Sequence, residues 1–400
     1  MSLIAARLDR IKPSPSSMAG QRARELRAAG RDIVGLTAGE PDFDTPAHVC
    51  EAAARAMSMS KTKYTDVGGT PELKAAIQAK FRRDNGLDYE ARELIASTGA
   101  KQIIFNALMC TVEAGDEVIV PTPYWVSYPD IVLLAEGRPV FVECRSDNGF
   151  KLRPEDLERA ITARTKWLVL NAPNNPSGAI YSRAELKALA DVLLRHPQVW
   201  VMSDDIYEHL VYDGVPFLTL AQVEPELRHR TLTLNGVSKA YAMTGWRIGF
   251  AGAPAPLVAA MVKLQSQSTS NPSSISQAAA VEALDGPQDL IAQRNAILQA
   301  RRDKVVAAVN AIPGLHCHVP QGAFYAFPSC ASLLGRRAAN GRVLRSDDDF
   351  VMHLLDAEGL VALQGAAYGA SPFFRLSFAS SMQTLEDGLH RLRRACERLD

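Results

Sequence analysis

Short apolar runs alternate with amphipathic stretches through the middle of this chain, and that alternation restricts its fold more than any other feature. The runs are Leu94–Ala96, Glu117–Val120, Pro139–Val142, Trp167–Leu170, Val199–Met202, Thr231–Leu234 and Ile248–Ala251. Strands that are apolar along their whole length must be covered on both faces, and helices between parallel strands supply the cover. Leu73, Ile77 and Phe81, spaced four apart, predict a helix over Pro71–Asn85 that stops at Asn85-Gly86. Leu186, Leu189, Leu193 and Leu194 predict another over Ser182–Arg195. The expected fold is α/β, with a mostly parallel central sheet between helices. After Pro254 the pattern changes to a long helix near Gln288–Ile312, strand-like Gly322–Phe327, a loop near Gly335–Arg345, and a helix at Asp348–Glu358. Strand-like Phe373–Ala379 and a helix near Thr384–Arg398 follow. We expect a large α/β domain over 49–305 and a smaller α+β domain built from 1–48 and 306–400.

Composition excludes several classes. The 400 residues carry 44 Lys+Arg against 44 Asp+Glu, which gives no support to a polyanion-binding surface. No apolar run reaches the roughly 20 residues of a membrane span. The opening MSLIAARLDRIKPSPSS has no signal-peptide pattern, and six Cys are scattered without CxxC spacing. Reduced thiols and a cytoplasmic location are the expectation.

Four stretches could carry chemistry. Ser97–Gln102 (STGAKQ) follows a strand and opens an apolar helix, where free N–H groups and the helix dipole suit a phosphate. Alone it is also an ordinary strand-to-helix turn. Lys101 opposes the dipole there, so it is either solvated or held to help bind an anion. Asn171–Gly178 (NAPNNPSG) presents Asn175 at the carboxyl end of a strand, where α/β proteins place ligands. In Val201–Leu210 (VMSDDIYEHL), Asp204 ends a strand and either caps the next turn or faces a site with Tyr207. In Leu234–Gly252 (LNGVSKAYAMTGWRIGFAG), Lys239 lies among small and apolar residues. A Lys in such company loses its charge easily and becomes a nucleophilic amine suited to a Schiff base. Arg247 offers a fork for a phosphate.

Taken in order, these motifs resemble the class I pyridoxal-phosphate aminotransferases of fold type I, most closely their bacterial aspartate aminotransferase subgroup. The G-[aliphatic]-S-K-x5-G-x-R-x-G pattern around Lys239, NPSG with Asn175, DDIY with Asp204 and Tyr207, and FRLSF with Arg375 carry the resemblance. LTAGEPDFDTP, KTKY and PYWVSY extend it over nearly the whole chain. It implies pyridoxal 5'-phosphate on Lys239, with Asp204 at the pyridine nitrogen. Tyr207 and Asn175 would meet the phenolic oxygen, and Trp125 the ring face. The phosphate would sit on Gly99, Ala100 and Lys101 with Arg247. Arg375, Asn175 and the Gly39 backbone would take the substrate α-carboxylate. The resemblance also implies a homodimer with shared sites, Tyr64 reaching the neighbouring subunit's phosphate.

Two departures bear on substrate. Gly236 stands where animal-type relatives carry a phosphate-binding Ser, which leaves the part of Ser238 open. Leu264–Ser274 holds no Arg for a distal carboxylate; Lys101 occupies the position that takes this task in the bacterial subgroup. The leading expectation is amino transfer from L-aspartate to 2-oxoglutarate. Aspartate/prephenate or aromatic amino-acid transfer is the alternative, and a pyridoxal-dependent β-lyase is a further one. No GxGxxG follows a strand, which disfavours a nicotinamide dehydrogenase. His316 and His318 alternate with Cys317 and read as an ordinary loop or strand edge rather than a metal site.

Overall fold

The structure is a computed structural model and describes residues 3–13 and 15–400. Its centre is a seven-stranded sheet. The strands are β1 (Leu94–Ser97), β2 (Glu117–Thr122), β3 (Arg138–Glu143), β4 (Thr165–Asn171), β5 (Trp200–Asp204), β6 (Thr231–Gly236) and β7 (Gly249–Gly252). In space they run β1-β7-β6-β5-β4-β2-β3. Only β7 is antiparallel to its neighbours. All seven predicted runs are strands. The inner strands are buried almost throughout, whereas edge strand β3 is largely open. Burial on both faces is what made the inner strands read as continuous apolar runs.

Helix α1 (Pro71–Asn85) begins where Thr70 Oγ1 accepts from Leu73 N at 3.2 Å, and it ends at Gly86 in the left-handed region, φ 63°. Leu73, Ile77 and Phe81 are fully buried, as their spacing predicts. Helix α2 (Ala100–Thr111) follows β1. The sheet has separate apolar cores on its two faces.

The two chain ends meet. Val34–Gly35 pairs in parallel with Leu360–Val361, and Phe374–Ser377 lies between Leu363–Gln364 and Tyr325–Ala326. Of the expected Gly322–Phe327 strand, Tyr325–Ala326 forms a strand, while Gly322 makes a single antiparallel bridge to Val211 and the N–H groups of Gly322 and Ala323 bond to Gly178 and Leu210. The helix Asp289–Asn310 runs across position 305. A single apolar core joins Leu36, the 206–212 turn and the C-terminal elements. His316 bridges to Ser329, with the His316 and His318 rings 5.0 Å apart and Cys317 buried, the alternation expected.

Candidate active site

The carboxyl ends of the parallel strands converge on one cavity of about 370 Å³. Register explains the convergence: Asn171, last in β4, is the partner of Asp204, last in β5. Asn171 Nδ2 donates to the Asp204 carbonyl at 3.0 Å, and Asn171 Oδ1 accepts from Asn175 N at 2.9 Å. The NPSG loop is thereby fastened to the strand end beside it. Lys239 comes three residues after β6, and the start of α2 faces the same space.

Of the residues expected here, Asp204, Tyr207, Asn175, Lys239, Arg247 and Trp125 line the cavity. Gly39, Ala100 and Lys101 line it too, and so does Ser238. Gly99 caps α2 at φ 85°, and a Cβ there would collide with the Arg247 guanidinium. Glycine is therefore what lets this cation close on the helix start. Arg375 stands behind the wall: its Nη1 donates to Asn175 Oδ1 at 2.9 Å and its Nη2 to the Thr37 carbonyl at 2.9 Å. Tyr64 lies outside, 92% exposed.

Electrostatics divide the cavity. Lys239 donates to the Gly39 carbonyl at 2.6 Å. Burial pushes its pKa down to about 8, aided by Arg247 and Arg375 and opposed chiefly by Glu40. Asp204 is pushed up to about 6 by burial, against a hydrogen bond from Tyr128 and the charge of Lys239. Tyr128 Oη donates to Asp204 Oδ2 at 2.5 Å. Lys101 Nζ lies 4.8 Å from the Trp125 ring centroid, and its pKa is lowered by desolvation and by Arg247. Among the described residues no carboxylate pairs with Lys101, Arg247 or Arg375.

Three participants escaped the sequence. Tyr128, three after Trp125 in PYWVSY, reads as core but holds Asp204. Tyr325 Oη lies 3.0 Å from Tyr207 Oη, and its ring centroid 4.2 Å from the Arg375 guanidinium. Glu40 adds a carboxylate to the cavity wall. Tyr128 and Glu40 lie inside the PYWVSY and LTAGEPDFDTP motifs, which was the signal available for them; Tyr325 had none.

The donor set suits a phosphorylated aromatic aldehyde with a ring nitrogen. The first N–H groups of α2 and the Arg247 fork offer an anion site. Trp125 is an aromatic wall, buried Asp204 an acceptor for a ring N–H, and Lys239 an amine of lowered basicity. Among the described residues the buried Nε of Arg375 has no hydrogen-bond partner, so this guanidinium has capacity left for a further acceptor.

Residues 31–392 match the family model described as aminotransferase class I and II. An aspartate aminotransferase of Rhizobium meliloti (strain 1021) is 54% identical over 395 residues, 99% of this chain and 96% of that protein. An aspartate/prephenate aminotransferase of Cereibacter sphaeroides is 54% identical over 396 residues, 99% of each. The crystal structure of the Rhizobium meliloti aspartate aminotransferase superposes with TM-score 0.98 at 54% identity over the whole of both chains. The Thermus thermophilus aspartate aminotransferase with maleate gives 0.92 at 41% identity over 99% of this chain and 100% of that one. The ordered motifs, the cavity they build and these similarities agree: the chain belongs to the class I and II aminotransferases.

Proposed function

We propose that the cavity is the active site of an aminotransferase that moves the amino group of L-aspartate to 2-oxoglutarate, giving oxaloacetate and L-glutamate. The observation that carries this is an amine of lowered basicity, Lys239, in a site whose other cations, Lys101, Arg247 and Arg375, pair with no carboxylate among the described residues. Such a site has charge available for a phosphate and for the two carboxylates of the substrate.

Pyridoxal 5'-phosphate, the cofactor of this family, supplies the amino-group carrier and the electron sink that steadies negative charge at the substrate Cα. Lys239 would hold it covalently, Arg247 and the start of α2 its phosphate, and Trp125 its ring face. Asp204 would accept from the ring N–H, held in place by Tyr128. Tyr207 and Asn175 would donate to the ring oxygen. Arg375 would clamp the substrate α-carboxylate through its fork, with Asn175 and the Gly39 backbone beside it. Lys101 would meet the distal carboxylate. The Lys239 amine would take the proton from Cα and return it, a task that its lowered basicity suits.

The relatives named aspartate/prephenate aminotransferase support a second reading, transfer with prephenate as the partner. We also propose a cytoplasmic homodimer divided at 49–305 and at 1–48 plus 306–400. Tyr64, with Met57 and Met59 nearby in sequence, is an exposed aromatic and apolar group with no task in its own subunit, which supports a partner there.

The test is direct. The loaded protein should show a visible absorption band that Lys239→Ala abolishes, and borohydride reduction with peptide mapping should place the adduct on Lys239. An adduct elsewhere overturns the assignment. Against a panel of aspartate, prephenate and aromatic partners, Lys101→Ala should lower kcat/KM for aspartate by about 10–150-fold, the value of a lost charge-assisted contact of roughly 1.5–3 kcal/mol. An unchanged value would remove Lys101 from substrate recognition.

A further inference from the structure

Glu40 is a charge at the cavity wall that the chemistry above leaves without a task. It lies between the Val34–Gly35 strand and the helix Ala47–Ser58, on the same wall as Gly39. The outer part of this segment is fastened firmly. Arg301 donates to both oxygens of Asp42 at 2.7 and 3.0 Å; Thr45 Oγ1 donates to the Ala242 carbonyl at 2.8 Å and accepts from Trp246 Nε1 at 2.9 Å. At the inner end the Gly39 carbonyl holds Lys239 Nζ, and Glu40 Oε2 accepts from Thr244 Oγ1 at 2.5 Å. Thr244 thereby ties the carboxylate of this exposed residue to the same wall as the Gly39 carbonyl that holds the amine. Among the described residues it makes no ion pair. It is nonetheless the strongest charge favouring a proton on Lys239.

A cavity that admits dicarboxylates gains from Lys101, Arg247 and Arg375 and loses from an anion at its wall. Glu40 is thus unfavourable toward either carboxylate of a substrate. The two partners in amino transfer differ in one charge: the amino acid brings an ammonium, and the 2-oxo acid brings none. A carboxylate fixed beside the amine that the incoming nitrogen must replace attracts the first partner and repels the second. We propose that Glu40 is a specificity-determining residue that sets the ratio of affinities for the amino-acid and 2-oxo-acid partners, and that Thr244 holds its carboxylate in position. This role rests on the aminotransferase reading above.

The experiment uses the protein loaded with pyridoxal phosphate and two probes that cannot complete amino transfer, titrated by calorimetry. Succinate is a dicarboxylate without nitrogen; 2-methylaspartate adds the ammonium and has no α-hydrogen to lose. Glu40→Gln keeps the shape and the acceptor for Thr244 but removes the charge. It should raise the Kd for 2-methylaspartate about three- to tenfold and lower that for succinate by a similar factor. Thr244→Val keeps the charge but releases it, and should give a smaller split in the same directions. A structural role would move both constants together, so parallel shifts or no shift in Glu40→Gln overturn the inference, as does an opposite split in Thr244→Val. If the unsubstituted protein forms no visible band and binds neither probe, the aminotransferase reading itself fails. If it binds both and only the split is missing, Glu40 alone is misassigned.

Discussion

Asp204 and Asp205 are neighbours with different surroundings. Asp204 faces the cavity and is held by Tyr128; Asp205 turns inward, where Ser203 Oγ donates to its Oδ1 at 2.8 Å. Burial, with the Glu208 charge adding to it, pushes Asp205 up to about 7. A carboxyl whose pKa is raised by folding contributes its stability below its unfolded value near 4 and loses it as pH rises through the folded value. The folded state should therefore lose stability through Asp205 between roughly pH 4 and pH 8. Asp205→Asn should be close to neutral at pH 4 and stabilising on the order of 2 kcal/mol at pH 8, read from thermal midpoints of the cofactor-free protein. A difference between the two proteins that does not change with pH would remove this assignment. The sequence singled out Asp204 as the member of the pair that faces the site; that Asp205 is a buried carboxyl held by Ser203 was not legible, because it depends on where the turn directs its side chain.

At the scale of elements, strand β7 and helix α2 determine whether the proposed anion site can form. Gly249, first in β7, lies so close to Gly99 and Ala100 that a Cβ would overlap the helix backbone. Gly249→Ala must push the start of α2 away from the sheet. The expected result is a loss of about 1–3 kcal/mol in stability and weaker pyridoxal phosphate binding by the variant, measured by fluorescence titration. Unchanged cofactor affinity would show that the helix start does not bind the phosphate. Helix α1 takes part less visibly. Lys80 forms a buried ion pair with Glu208 and donates to Asn85 Oδ1 at 2.6 Å, while Asn85 Nδ2 donates to Glu208 Oε2 at 2.8 Å. This network ties α1 to the turn that carries Asp204 and Tyr207. The boundaries of α1 could be read from its caps and periodicity. Lys80 could not, since a helical Lys reads as solvated until a partner 128 positions away neutralises it.

The whole molecule brings separate stretches to one place. The core that holds the C-terminal elements also takes in Leu36 and the 206–212 turn, so the groups around Tyr207, Tyr325 and Arg375 are packed as a unit. Tyr64 stands apart, 92% exposed. If it completes the site of a second copy, inactive Lys239→Ala and weakened Tyr64→Ala proteins should regain activity when mixed and allowed to exchange subunits. In the hybrid, the subunit that keeps Lys239 receives an intact Tyr64 from its partner. Absence of recovery in a mixture shown to exchange would confine each site to one chain.

The sequence alone determined the α/β class, most strand and helix limits, and which residues are proposed to carry the covalent and phosphate chemistry. Apolar period, caps and ordered motifs are local patterns, and local patterns can be read along a chain. Only the tertiary structure decided that Tyr128 holds Asp204, that Tyr325 meets Tyr207, and that Glu40 is placed by Thr244. Those contacts join residues 76, 118 and 204 positions apart. A tyrosine or a glutamate carries no local mark of such a partner; the sheet register and the turns after the strands bring the two together.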